Sequence, residues 1–193
     1  MCTKQNMTVK QRGFSLVEIM ITLLLLALII NFGVPAMNSF LERNRLKSAA
    51  EEIYNQIKYA RSESIKQSRP LYLKFSADGS TAWSLGISNT SGCTITETDA
   101  TNASACRIDV GGTWVRKVFI NGTTGQSYPD ISLSVNPDPY EISFDQVRGI
   151  ATAGVVTLTS TSGWVIRSSL SALGHVKLCS PTGVTNVAGY PSC

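Results

Sequence analysis

The chain has 193 residues, enough for one domain and an attached segment. Its formal charge of +4 comes mostly from the first thirteen residues, where Lys4, Lys10 and Arg12 have no acid among them; beyond Gly13, fourteen bases face thirteen acids. That balance excludes a globally basic nucleic-acid binder, so any basic surface must be local.

Residues 1–13 form a polar, basic leader ending in glycine, with no apolar core inside it. An ordinary secretory signal carries its hydrophobic region before the cleavage site. Here the apolar run follows, from Leu16 to about Met37, and its length matches a hydrocarbon core of about 30 Å. Lys10 and Arg12 keep the leader cytoplasmic under the positive-inside rule, so the remainder is expected to be exported. Glu18 lies inside this run, where a carboxylate costs a few kcal/mol. It needs a partner. Composition alone also fits an uncleaved single-pass signal anchor.

The hexapeptide Gly13-Phe14-Ser15-Leu16-Val17-Glu18 resembles the class III signal of type IV pilins and type II secretion pseudopilins. The resemblance implies cleavage between Gly13 and Phe14 by a prepilin peptidase, and N-methylation of Phe14. It gives Glu18 the task of neutralising the N-terminal amine of a neighbouring subunit during assembly.

Pro35, beside Gly33, is expected to kink the helix or melt it locally, for want of an N–H. Beyond it, Leu46, Ala49, Ala50, Ile53, Ile57, Ala60 and Ser64 recur at three- and four-residue steps, one face of an amphipathic helix. Arg69-Pro70 marks its probable stop. A continuous helix over 14–68 would run roughly 80 Å.

From Leu71 the period becomes two. Segments 71–75 and 83–87 read as strands joined by Asp78-Gly79. Residues 88–105 read as a polar loop. Further strands are expected at 115–120, 131–135, 140–145, 155–159, 164–170 and 175–179, about eight in all. Asn121-Gly122 and Asn136-Pro137-Asp138-Pro139 separate some of them. The expected class is α+β: a leader over 1–13, a transmembrane and amphipathic helix over 14–69, and a β-rich head over 70–193.

Five cysteines are present, with Cys2 in the leader. Cys93, Cys106, Cys179 and Cys193 form two local groups in an exported domain, which reads as disulfides. Pairing 93–106 and 179–193 is the local choice, though the sequence leaves the pairing open. A four-cysteine zinc site would need a Cys-x-x-Cys knuckle, which is missing.

The sequence Ile142-Ser143-Phe144-Asp145, then Arg148-Gly149, the strand at 155–159, Trp164 to Arg167 and Leu173-Gly174-His175-Val176-Lys177-Leu178-Cys179 resembles the GspH/FimT family. That resemblance implies a minor pilin or pseudopilin with two antiparallel sheets against the helix, partnered by other major and minor pilins. It is weakest over 88–112.

No catalysis is expected. His175 stands alone, without a Cys–His or Ser–His–Asp signature. Gly122-Thr123-Thr124-Gly125 is a turn, not a phosphate cradle. No cofactor or metal is implied. Charge is more informative: 71–145 holds eight acids against four bases, while 146–193 holds no acid and contains Arg148, Arg167, Lys177 and His175. Two readings stand, ordinary solvated side chains or an acid-free patch that contacts phosphates. Some FimT-like proteins bind double-stranded DNA through Gly-Arg-x-Arg in natural transformation. Here the matching residues are Gly174-His175-Val176-Lys177, with both arginines replaced, and a lysine keeps charge without the bidentate fork. A pilus role and a type II secretion role both fit, as does an unrelated signal-anchored β-domain.

Overall fold

The computed structural model describes residues 13–77, 79–122, 127–138, 140–183 and 186–193, with only the backbone over 32–36. The leader before Gly13 and the turn residues Asp78, Thr123, Thr124, Gly125 and Pro139 lie outside the described residues; at Pro35 the backbone is helical, so the expected local melting does not occur and α1 runs through it unbroken. Two compact units are present, Met1–Ser39 and Phe40–Cys193, and helix α1 (Leu16–Gln67) contributes to both.

Among the described residues of the first unit, Leu16, Met20, Leu24 and Ile29 are all more than half exposed. The expected span over 16–37 includes the five positions without described side chains. Among the described residues no helix is long and apolar enough to cross a membrane.

The second unit has two antiparallel sheets. One is ordered β3-β4-β2-β1-β6, from β1 (Leu71–Ser76), β2 (Ser84–Ser88), β3 (Arg107–Val110), β4 (Thr113–Ile120) and β6 (Glu141–Phe144). The other is ordered β5-β7-β8-β9, from β5 (Ile131–Asn136), β7 (Gly154–Ser160), β8 (Val165–Leu170) and β9 (Val176–Cys179). The helical stripe is buried as its spacing predicts: Leu46, Ala49, Ala50, Ile53, Ile57 and Ala60 join the inner residues of both sheets in one core. Three alanines in that stripe leave room for strand side chains to approach the helix backbone. Ser64, the polar end of the stripe, is buried too, and its hydroxyl donates towards the carbonyls of Arg69 (2.9 Å) and Phe144 (3.2 Å). Trp83 ties the sheets together, donating Nε1–H to the Ile131 carbonyl at 3.0 Å and stacking on Phe119 and Tyr128.

Most strands fall within a residue or two of their expected positions; β3 was not expected. Arg107-Ile108-Asp109-Val110 is short and carries two charges, so alternation alone does not distinguish it from the polar loop before it. Pairing with β4, Arg107 opposite Arg116 and Val110 opposite Thr113, makes it a strand. The helix stops at Gln67, and Ser68 adopts φ 49° ahead of Arg69-Pro70.

The outer strands are capped. Asn89 bonds Arg107 and Asp109 of β3, and Thr152 bonds Ser143 of β6. Gly79 and Ser80 bond Leu133 of β5. At the end of β9, Ser180 pairs with the segment at 191–193.

Candidate functional site

Gly13 and Phe14 are exposed, and α1 begins two residues later, with Ile19 N–H donating to the Ser15 carbonyl at 3.2 Å. Glu18 sits in the first helical turn, where the helix dipole favours a carboxylate. The glycine is thus followed by a helix start, with Phe14 80 % exposed.

In the head, the four candidate basic residues separate into two surfaces. Arg167 on β8 and Lys177 on β9 both project from the outer face of the four-stranded sheet. Register places Arg167 opposite Cys179 and Ser169 opposite Lys177, so the two cations are diagonal neighbours across adjacent strands. They line a groove of about 470 Å³ with Asn136, Thr157, Ser169 and Cys193, and among the described residues no Asp or Glu lines it. Alternation explains the arrangement: Ile166, Ser168 and Leu170 face inward and are buried, which turns Arg167 and Ser169 to solvent. Among the described residues neither Arg167 nor Lys177 has an ion-pair partner.

His175 and Arg148 lie elsewhere. His175 lines a second groove, of about 390 Å³, formed with Tyr54, Lys58, Arg61 and Ile65 of α1. Arg148 is exposed on the turn after β6, its backbone N–H donating to Asp145 Oδ2 at 3.0 Å. The turn after β8 is held by Arg61, whose Nη1 donates to the Gly174 carbonyl at 2.9 Å, and the turn after β6 packs beside it through Gly149. Gly149 and Gly174 pack against the same guanidinium; a Cβ on Gly149 would come within 2.9 Å of Arg61 Nε. The matched tetrapeptide from Gly174 to Lys177 therefore divides its two charged positions between two grooves.

Both disulfides are formed, Cys93–Cys106 at 2.05 Å and Cys179–Cys193 at 2.19 Å. The first staples the polar loop against Gly86, whose Cβ would meet Cys106. The second ties the tail beside the groove of Arg167 and Lys177.

Two positioning residues escape sequence reading. Arg61 reads as one more charge on the solvated helix face, and nothing local says that it holds the distant turn after β8. Glu42 likewise anchors the β7–β8 hairpin, accepting from Ser162 N–H (2.7 Å), Ser162 Oγ (2.5 Å) and Thr161 Oγ1 (3.0 Å). Burial raises its pKa, but these hydrogen bonds outweigh it and hold the carboxyl at about 2. The Thr161-Ser162-Gly163 turn was the available signal, since hydroxyls and free amides together suit a carboxylate.

Comparison with known proteins extends the picture over the chain. The prokaryotic N-terminal methylation motif matches residues 9–30. The model of the type II transport protein GspH matches residues 49–174. A crystal structure of the type IV minor pilin FimU from Pseudomonas aeruginosa (strain PAO1), in space group P21, is similar at 20 % identity and TM-score 0.48. The match covers 75 % of this chain and 98 % of that one. A second FimU crystal form, in space group P65, gives 17 % identity and TM-score 0.45, with 71 % and 98 % covered. No curated protein matches. The GspH match opens within the buried helical stripe and runs through the five-stranded sheet and β5, β7 and β8 of the other to Gly174, the turn gripped by Arg61, leaving β9 outside it; the methylation motif precedes it on the same chain. The chain belongs to the GspH/FimT family of minor pilins and pseudopilins.

Proposed function

We propose that the chain is a minor type IV pilin. Prepilin peptidase cleaves it after Gly13 and methylates Phe14. It is held in the bacterial inner membrane by its N-terminal segment, with the head periplasmic, and enters a pilus alongside major and minor pilins. The observation that carries this reading is the methylation motif over 9–30 joined to a GspH match over 49–174. Glu18 is the assembly residue: its carboxylate needs a cationic partner in an apolar surrounding, and a neighbour's N-terminal amine supplies one. Glu18→Ala should leave cleavage after Gly13 intact by mass spectrometry while incorporation into sheared filaments falls at least tenfold. Normal incorporation removes that role.

The head's contribution is non-specific binding of double-stranded DNA for uptake in natural transformation. Arg167 and Lys177 support it as a cation pair with no Asp or Glu partner among the described residues, in a hydroxyl-lined groove. Such a groove offers contacts to phosphate and sugar with no base readout. Two phosphate contacts give weak binding, so capture depends on several subunits acting together. In a salt-titrated gel shift with the full chain in detergent, changing Arg167 and Lys177 to Gln should lower the salt slope by about two units. An unchanged slope rejects the DNA reading.

The match to the type II transport protein favours a second reading, a minor pseudopilin of a type II secretion system. Deleting the gene in its host separates the two. Loss of exoprotein secretion with piliation and transformation intact selects the pseudopilin; the reverse selects the pilin.

A further inference from the structure

At one end of the head, three segments distant in sequence converge: the last turns of α1, the turn after β6 and the turn after β8. Arg61 joins α1 to the turn after β8 through the carbonyls of Leu173 and Gly174, at 3.4 and 2.9 Å, and the turn after β6 packs against both through Gly149. Gly149 lies between Arg61 and Ile65, so close that a Cβ there would sit 3.3 Å from Ile65 Cδ1. The side chains this junction presents are apolar. Val147 is 76 % exposed, Leu173 67 %, Ile65 47 % and Ile150 40 %. Scattered apolar side chains need no explanation, but four brought together on interlocked turns mark an interaction surface.

The groove described with His175 opens beside them. Its helix side is the stripe of Tyr54, Lys58, Arg61, Ser62 and Ile65, about three turns long, or roughly 16 Å. No acid lines it. Lys58 lies over the Tyr54 ring at 4.8 Å and Arg148 is exposed on the neighbouring turn, so cations flank an apolar strip. Asp145 is the nearest acid on these turns, and its carboxylate already accepts the Arg148 backbone N–H.

We propose that this strip docks an amphipathic helix of a neighbouring subunit, with apolar residues on one face and carboxylates along its edge. The proposal rests on the reading of the chain as an assembling subunit. A cleft along a helix suits a partner helix, whose side-chain ridges enter it. A flat bilayer leaves a cleft unfilled, and a DNA duplex offers nothing apolar to Val147 and Leu173. Unpaired cations select carboxylates and reject a basic face.

The test uses the full chain in phosphatidylcholine nanodiscs and a fluorescent amphipathic peptide of about 18 residues, long enough for the groove at 1.5 Å per residue. The peptide has leucines on one face and glutamates beside them; a second peptide carries lysines instead. Anisotropy, corrected for empty nanodiscs, should show binding of the glutamate peptide at least tenfold tighter than the lysine peptide. Val147→Ser with Leu173→Ser should weaken it at least tenfold, as should Arg148→Glu by itself at low salt. Changing Arg167 and Lys177 to Gln should leave it unaltered. Equal binding of both peptides, no binding, or indifference to these substitutions overturns the proposal. So does sedimentation with phosphatidylglycerol vesicles that depends on Leu173, which makes the strip a lipid surface. Loss of DNA retardation in the Val147→Ser, Leu173→Ser chain overturns it as well. Cleavage and incorporation are read in cells, so failure of the peptide test is distinct from failure of the pilin reading.

Discussion

Glu42 and Gly174 do opposite things with very few atoms. Glu42 is a carboxylate whose folded pKa, about 2, lies below its ordinary 4.5. A depressed carboxyl stabilises the fold above the unfolded pKa, and that contribution fades as pH falls from about 4.5 through about 2. Because the group is largely solvated, the effect is modest. Glu42→Gln should therefore melt lower than the parent at pH 7, with the gap closing by pH 2, as followed by circular dichroism. Gly174 acts by lacking a side chain. Its φ is +75°, and a Cβ would strike the Gly149 carbonyl oxygen while approaching Arg61. Gly174→Ala should cost at least about 1–3 kcal/mol for the strained backbone alone, measured by urea unfolding. Neither role is legible in the sequence, where Glu42 is one of several helix charges and Gly174 one of fifteen glycines. What defines each is a partner more than a hundred residues away, or twenty-five in the case of the Gly149 carbonyl.

Among the elements, legibility follows burial. The stripe from Leu46 to Ser64 could be read because the sheets cover one side of the helix, and selection for a dry face leaves a period of 3.6. Strands β7 and β8 could be read because Val156, Leu158, Ile166 and Leu170 face inward while polar residues face out. By contrast, β3 offers only Ile108 to the core, and its pairing with β4 is invisible without the third dimension. Ile53 is fully buried in the core that both sheets share. Ile53→Ala should cost about 2–5 kcal/mol, and both sheets should lose structure in one transition by hydrogen exchange. Two separated transitions would mean that the sheets fold independently of the helix.

At the level of the whole chain, the processing signal was legible because a peptidase must read it as a short linear sequence. The fold class followed from the change of period at Leu71. The candidate DNA surface was legible only as an acid-free stretch. Charge counting groups Arg148, Arg167, His175 and Lys177, whereas strand alternation and the turn after β8 distribute them over two grooves. That division lets one head present a hydroxyl-lined cationic face and an apolar cationic strip, so the two can be mutated separately.

The capped strand edges have a consequence for storage. A subunit held in a membrane before use meets others like it at high local density, and an open strand edge invites pairing between sheets of neighbouring molecules. Asn89 engages outer backbone groups of Arg107 and Asp109 in β3, Thr152 those of Ser143 in β6 and the Gly79–Ser80 segment those of Leu133 in β5, and the disulfide-tied tail engages Ser180 at the end of β9. Where those groups are engaged, pairing between the sheets of crowded molecules is disfavoured, so contact between such subunits falls to their side chains.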